Sequence, residues 1–435
     1  MGLKTKVFKN TVFQIAGRSL TILISLLTTA VLTRTLGVET FGDYVFITSI
    51  VLLFVGLTDF GTITIGVREA SVSLEKKEKI FGSVLSLRII ISLFIFIAFN
   101  LLIYFLPQFA GLREPSLIAS FVILFLILRT TMQAVLQVFL RLDLASFLEV
   151  IASLLALLFI GSFSLLGIKI NLFWLMIFWS VSALASGIAG LYYVKKLISF
   201  KLNFNKDDLF KIFKQASPLG VYLLVYAVYD RGIDSFFLKT FVNSEAVGFY
   251  GLAYKIHGNL IFGAAFLMNS LFPIISALKN DEERLKLIFK KAFSVLFFFG
   301  LLSLFLGTLF APLIIRIISG AKFVLSVNIL RILLFATFFS FLNHLNGYLL
   351  ISLNEQKKLL VFSLFSLILN LVLNTIFIPR YSFWAAAAVT VLTEGLIFVL
   401  TSVYLKRKYQ LTISGQELKN NLFLFLKKRK SFFDF

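Results

Sequence analysis

Apolar run follows apolar run along almost the whole chain, each long enough to cross a bilayer. A spanning helix needs about 20 mostly apolar residues to cover roughly 30 Å of hydrocarbon. Runs of that kind occupy residues 8–33, 42–67, 80–107, 115–139, 144–167, 170–194, 216–239, 246–275, 288–314, 324–351, 357–379 and 382–405. The chain therefore reads as an all-α, polytopic membrane protein with about twelve transmembrane helices. Composition leads to the same place. Apolar residues make up 59% and charged residues 14%, against about 45–50% and about 25% in soluble domains. The first run is too long for a signal-peptide core and lacks a small-residue cleavage site, so it reads as a helix.

The net charge of +21 would point to nucleic acid in a soluble protein. Here the basic residues sit in short stretches between apolar runs, the pattern of membrane orientation, and no nucleic-acid partner is expected. With the N-terminus placed inside, alternate inner segments hold 29 Lys and Arg and the outer segments hold seven. That asymmetry favours an even number of spans with both ends cytoplasmic, in a cytoplasmic (inner) membrane. There is no cysteine, which excludes disulfides, thiol catalysis and Cys-based zinc sites. With only His257 and His344, a multi-histidine metal cage is not expected, nor is any cofactor.

Two soluble-looking pieces stand out. Residues 196–215 form an amphipathic cytoplasmic linker. Asn205 with Asp207 and Asp208 marks a helix start there, and Leu209, Phe210, Ile212 and Phe213 are placed to lie on the membrane surface. The basic tail, 411–435, carries Ser414 and Glu417 in capping-box spacing ahead of Leu422–Leu426 and Lys427–Lys430, an interfacial helix held by anionic lipid. An internal repeat relates 32–44 (LTRTLGVETFGDY) to 238–250 (LKTFVNSEAVGFY) at an offset of 206, matching Glu39 to Glu245, Gly42 to Gly248 and Tyr44 to Tyr250. An offset of six spans keeps orientation, so the halves are expected to be parallel pseudo-repeats. The expected division is a six-helix lobe at 1–195, the linker, a second six-helix lobe at 216–410 and the tail, with the lobes around a central cavity. That is a transporter architecture.

Charges left inside the spans are costly, roughly 2.5–3.5 kcal/mol each at the bilayer centre on insertion scales, and mark function by default. The cations are Arg18, Arg88, Arg129, Arg231, Lys255 and Arg331. The acids are Asp59, Glu149, Asp230, Asp234 and Glu394. The cations make a route attractive to an anion, and the planar donor fork of arginine suits phosphate. The acids are open to two readings, ion coupling by a proton or Na⁺, or structural pairing with the cations. His257 reads as a hydrogen-bonded helix residue. Asn343 and Asn346, with His344, either bond neighbouring helices or contact sugar hydroxyls. No P-loop, H-E-x-x-H or G-x-S-x-G occurs, so no catalytic residues are assigned and the chain does not read as an enzyme.

Thr33-Arg34-Thr35-Leu36-Gly37, Phe41-Gly42-Asp43-Tyr44, Asp59-Phe60-Gly61 and Arg68-Glu69-Ala70 resemble the N-terminal signature of the polysaccharide flippases. These are the O-antigen repeat-unit (Wzx-type) exporters of the multidrug/oligosaccharidyl-lipid/polysaccharide exporter superfamily. Tyr229-Asp230-Arg231, Val247-Gly248-Phe249-Tyr250, Leu271-Phe272-Pro273, Asn370 to Asn374, Ile378-Pro379, Tyr381 and the alanine run 385–388 are similar to the same pattern. Tyr381-Ser382-Phe383-Trp384 departs from it, where the family often has glycines.

The resemblance implies a flippase that moves undecaprenyl-pyrophosphate-linked oligosaccharide from the cytoplasmic to the outer leaflet by alternating access. Membrane lipids and that lipid-linked oligosaccharide are then its partners, beside glycosyltransferases and a polymerase. Arg18, Arg88, Arg129, Arg231 and Lys255 would hold the pyrophosphate or acidic sugars. Two alternatives remain: a drug or cation antiporter of the same superfamily, which should have an acidic cavity, and a membrane glycosyltransferase or polymerase, which should have a large outer loop.

Overall fold

The computed structural model describes residues 3–72, 74–199, 201–230, 233–278 and 281–427. The described residues are helical nearly throughout. The helices are α1 (Leu3–Asp59), α2 (Thr62–Val72), α3 (Lys77–Phe105), α4 (Arg113–Val138), α5 (Leu142–Leu165), α6 (Leu172–Lys195), α7 (Lys206–Asp230), α8 (Ile233–Phe241), α9 (Ser244–Ala277), α10 (Glu282–Ser319), α11 (Leu325–Ser352), α12 (Gln356–Tyr409) and α13 (Gly415–Lys427).

Among the described residues nine helices are long and apolar enough to cross a membrane. Two of them are double. α1 has 57 residues, about 85 Å of helix at 1.5 Å per residue, far more than one bilayer holds. It turns at Gly37, whose φ of 78° and ψ of 177° are open to glycine and disfavoured for other residues. α12, with 54 residues, breaks at Ser382 (φ 52°, ψ −138°). Splitting both, and counting α7 with α8 as one more crossing, gives the twelve spans of the apolar runs.

The chain forms two compact units, 1–248 with 318–322, and 249–317 with 323–435. In the first unit α4 is central, packing on α6, α3, α1 and α5, while α1 also lies along α5. Small residues line the contact face of α6, including Ser182, Ala183 and Ser186, all buried. In lipid, where apolar burial drives association weakly, such close approach and dispersion hold helices together. Large aromatics fill the end where α3 finishes: Phe46 meets Phe109 at 5.0 Å and Phe54 meets Phe99 at 4.8 Å between ring centroids.

The linker region runs into a longer helix. Asn205 does start a helix, its Oδ1 accepting from the N–H groups of Asp207 (3.0 Å) and Asp208 (3.3 Å). That helix, α7, then runs on without a stop to Asp230. Ile212 is buried against Val84 and Leu87 of α3, with Leu209 beside it. The Phe213 ring stacks on Phe60 at 5.6 Å. Phe210 and Phe213 keep exposed side chains, 66% and 40%.

In the second unit α11 packs along α12, and α10 receives the tail helix α13. Ser414 and Glu417 close the capping box: Ser414 N–H donates to Glu417 Oε2 at 2.8 Å, and Glu417 N–H to Ser414 Oγ at 3.2 Å. Lys290 on α10 donates to Glu417 Oε1 at 2.5 Å. Phe425 reaches the rings of Phe298 and Phe299, leaving Phe423 and Leu424 exposed. Lys428–Lys430 lie outside the described residues.

Candidate functional site

Five of the intramembrane charges belong to the first unit's helices α1, α3, α4 and α5. Gly17 permits the first contact. A Cβ there would stand 2.8 Å from Ser146 Cβ, so a larger residue would hold α1 away from α5. One position on, Arg18 Nη1 donates to Glu149 Oε1 at 3.1 Å, with the side chains 32% and 33% exposed. Arg129 on α4 lies in the field of both Glu149 and Arg18. Its Nε is buried and has no acceptor among the described residues.

Arg88 on α3 is 2% exposed. Its Nη1 donates to Thr131 Oγ1 on α4 at 2.8 Å. Thr131 spends its own proton on Ile127 O at 2.7 Å, so its hydroxyl is free to accept. Asp59 supplies the opposing field, and Arg88 Nε is a second buried donor with no acceptor among the described residues. As it stands Arg88 is covered. Asp59 also accepts the Ile63 N–H at 3.1 Å. It thereby caps α2 where Phe60 (φ 40°) and Gly61 (φ 77°) interrupt the second span.

Three guanidinium groups thus face two carboxylates at membrane depth. Each lone charge there would cost roughly 2.5–3.5 kcal/mol on insertion scales, and two can be offset by pairing. The residue is a net positive site with unused donors. Buried polar groups are nearly always satisfied, and charge-assisted, fork-shaped donors match phosphate oxygens.

The second unit is organised differently. Glu394 on α12 accepts at Oε2 from Ser340 Oγ and Asn343 Nδ2, both at 2.8 Å. His257 Nδ1 lies 2.8 Å from Thr337 Oγ1, which donates onward to Leu333 O at 3.1 Å and so accepts from the ring. Tyr250 bonds Thr390 across 3.2 Å. Asn346 donates to Thr401 and Ser402 at 2.9 Å each. His344 Nδ1 sits 2.7 Å from Ser340 O. Asn343, His344 and Asn346 thus each make bonds within α11 or to α12, while Asn343 Oδ1 has no partner among the described residues. Arg331 donates to Asn328 Oδ1 at 3.0 Å within α11 and to Thr308 O at 3.3 Å, the bond that ties α11 to α10. Lys255 is half-buried on α9 with no hydrogen-bond or ion-pair partner among the described residues.

Asp234 is half-buried in the first turn of α8. Arg231 and the side chain of Asp230 lie outside the described residues. Thr131, Thr337 and Ser340, which orient the charged groups, are absent from the sequence reading. Hydroxyl residues are common on these helices, and no spacing singles these out.

Residues 7–279 match the family model described as "Polysaccharide biosynthesis protein", and residues 218–376 match MatE. A curated relative, the "probable low-salt glycan biosynthesis flippase" of Haloferax volcanii, is 26% identical over 235 residues, covering 52% of this chain and 47% of that protein. The chain thus spans about half the length of the curated relative it matches. Among solved structures, the inward closed lipid II flippase MurJ superposes with a TM-score of 0.78 at 15% identity, over 97% of this chain and 91% of that one. An inward-facing multidrug resistance MATE transporter of the MOP superfamily gives 0.71 at 14% identity, over 93% and 100%. These likenesses fix the fold as that of the MOP-superfamily transporters. With well over half of its length matched by the first family model, the chain belongs to the polysaccharide biosynthesis protein family.

Proposed function

We propose that this protein is a flippase that moves an oligosaccharide linked to a polyprenyl pyrophosphate, of the undecaprenyl type, from the cytoplasmic to the outer leaflet by alternating access. The observation that carries the reading is the pair of buried guanidinium donors left without acceptors, on Arg88 and Arg129, beside the part-exposed Arg18. A pyrophosphate supplies the oxygens they lack. Arg18 and Arg129 meet it first, and Arg88 after it separates from Thr131. Glu149 is the counter-ion that the substrate displaces, and the proton or Na⁺ it then takes up is the coupling ion. Lipid-linked oligosaccharide and the enzymes that build and polymerise it are the partners. The family match and the glycan flippase relative support this class of substrate.

The test is complementation of a strain lacking its own flippase. Arg18→Ala, Arg88→Ala and Arg129→Ala each abolish surface polysaccharide while the protein remains in the membrane. Full display in all three variants would overturn the reading. A second reading, export of cationic drugs, draws on the MatE match at 218–376. It predicts that resistance to cationic dyes follows expression, and the three guanidinium groups set against two carboxylates on α1, α3, α4 and α5 weigh against it.

A further inference from the structure

Between α3, α4 and α6 the first unit carries an open groove of about 620 Å³. Its walls are aliphatic, with Leu85 and Ile89 from α3, Leu124 and Leu128 from α4, and Leu191 from α6. One end is polar, where Lys195 in the last turn of α6 and Ser199 beyond it form the rim. Depth along the helices shows where the groove runs. Ile89 lies about 18 Å along α3 from Lys77, and Leu124 about 21 Å from the α4 end at Val138, at 1.5 Å per residue. The groove therefore starts at the basic face and stops near the bilayer centre, the depth of one leaflet, roughly 15 Å of hydrocarbon.

The rim has a spare cation. Lys196 is engaged by Tyr192, donating to its hydroxyl at 2.8 Å and sitting 4.0 Å above its ring. Lys195 has no ion-pair or hydrogen-bond partner among the described residues. The acid at this rim, Glu78, accepts from the Ser199 N–H at 3.3 Å. Basic residues at a membrane face attract anionic lipid, about 1 kcal/mol each near the surface.

We infer that this groove binds a phospholipid of the leaflet on the basic side, one acyl chain lying along Leu85, Ile89 and Leu128 and an anionic phosphate headgroup held by Lys195. A groove one leaflet deep fits an acyl chain; a polyprenyl chain is several times longer. The site is built wholly within the first unit, and it does not depend on what the protein transports.

The experiment is native mass spectrometry of the full chain after reconstitution into phosphatidylcholine vesicles containing a minority of phosphatidylglycerol, followed by detergent extraction. The expected result is selective retention of phosphatidylglycerol by the wild type. Lys195→Glu, on an exposed side chain that leaves packing intact, lowers that retention several-fold, as does Leu128→Trp, which fills the groove. Leu101→Trp, on the exposed outer half of α3, leaves it unchanged. Equal retention of both lipids by the wild type, or undiminished phosphatidylglycerol on Lys195→Glu, would overturn the inference. Surface polysaccharide and dye resistance are read separately, so failure here is distinct from failure of the transport reading.

Discussion

Gly42 and Gly248 make one contact in mirror fashion. A Cβ on Gly42 would stand 1.8 Å from Ser244 O, and a Cβ on Gly248 would stand 2.3 Å from Val38 O. Val38 and Ser244 are 206 residues apart, as are the two glycines. The two close approaches are reciprocal, each glycine admitting backbone from the other stretch. Alanine at either position would gain about 1 kcal/mol of helix propensity. The clash is with backbone oxygen, which cannot rotate away, and overpacking of this kind typically costs 1–3 kcal/mol. Gly42→Ala and Gly248→Ala are each expected to lower the melting temperature in detergent, and by similar amounts. A variant as stable as the wild type would show that α1 and the start of α9 can separate freely.

The Arg18–Glu149 pair predicts a coupling. Arg18→Met leaves Glu149 without its partner at membrane depth, and Glu149→Gln strands Arg18 less severely because the amide oxygen still accepts. The double variant removes both charges and should be more stable than the two single losses predict. Neighbours in one network couple by about 0.5–3 kcal/mol. A double-mutant cycle on thermal unfolding reads this directly; strict additivity would mean that the pair is incidental.

Ser382 holds a backbone conformation, φ 52° and ψ −138°, that belongs almost wholly to glycine and strains other residues by roughly 1–3 kcal/mol. Its Oγ is also buried without a partner among the described residues. Ser382→Gly is therefore expected to stabilise the protein by about 1 kcal/mol, after the entropy that glycine loses on folding. Ser382→Val is expected to do the opposite. Melting curves of the two variants decide the matter, and a destabilised Ser382→Gly would contradict the strain.

The tail helix carries a pH signature. The Lys290 ammonium, followed by the N–H and hydroxyl of Ser414, pulls the Glu417 carboxyl down from its usual 4.5 to about 2. A carboxyl lowered on docking favours the docked form at pH above 4.5, and this contribution fades as pH falls through about 2. The chain has no cysteine, so a single spin label at Leu424→Cys reports on α13 alone. Its mobility should stay constant between neutral pH and about 5 and rise only below the ordinary carboxylate range. Lys290→Ala should bring the release to higher pH. Release of the wild-type tail near pH 6 would rule the carboxylate out as the clasp.

The span count and the places where the membrane is crossed were written in the sequence. Twelve apolar runs and the charges between them are local properties, set by what lipid accepts one segment at a time. The two caps, at Asn205 and at Ser414 with Glu417, were equally legible, because a cap is a bargain between residues three positions apart. The charged residues could be named for the same reason, since a charge in an apolar run stands out whatever it touches.

What each charge does was decided by tertiary structure. Nothing in the sequence says that Arg18 meets Glu149 across 131 positions, or that Arg88 is closed over by Thr131 while Arg18 remains part-exposed. Helix rotation and crossing settle that, and they depend on packing between segments far apart in the chain. The same reason explains why Ile212 is buried against α3, and why Asn343 Nδ2 clasps Glu394. It explains Ser382 as well: its unusual backbone is the turn that lets 54 helical residues cross the bilayer twice. Lipid sets which segments are helices, and the contacts between helices set which of their polar groups are left to bind something else.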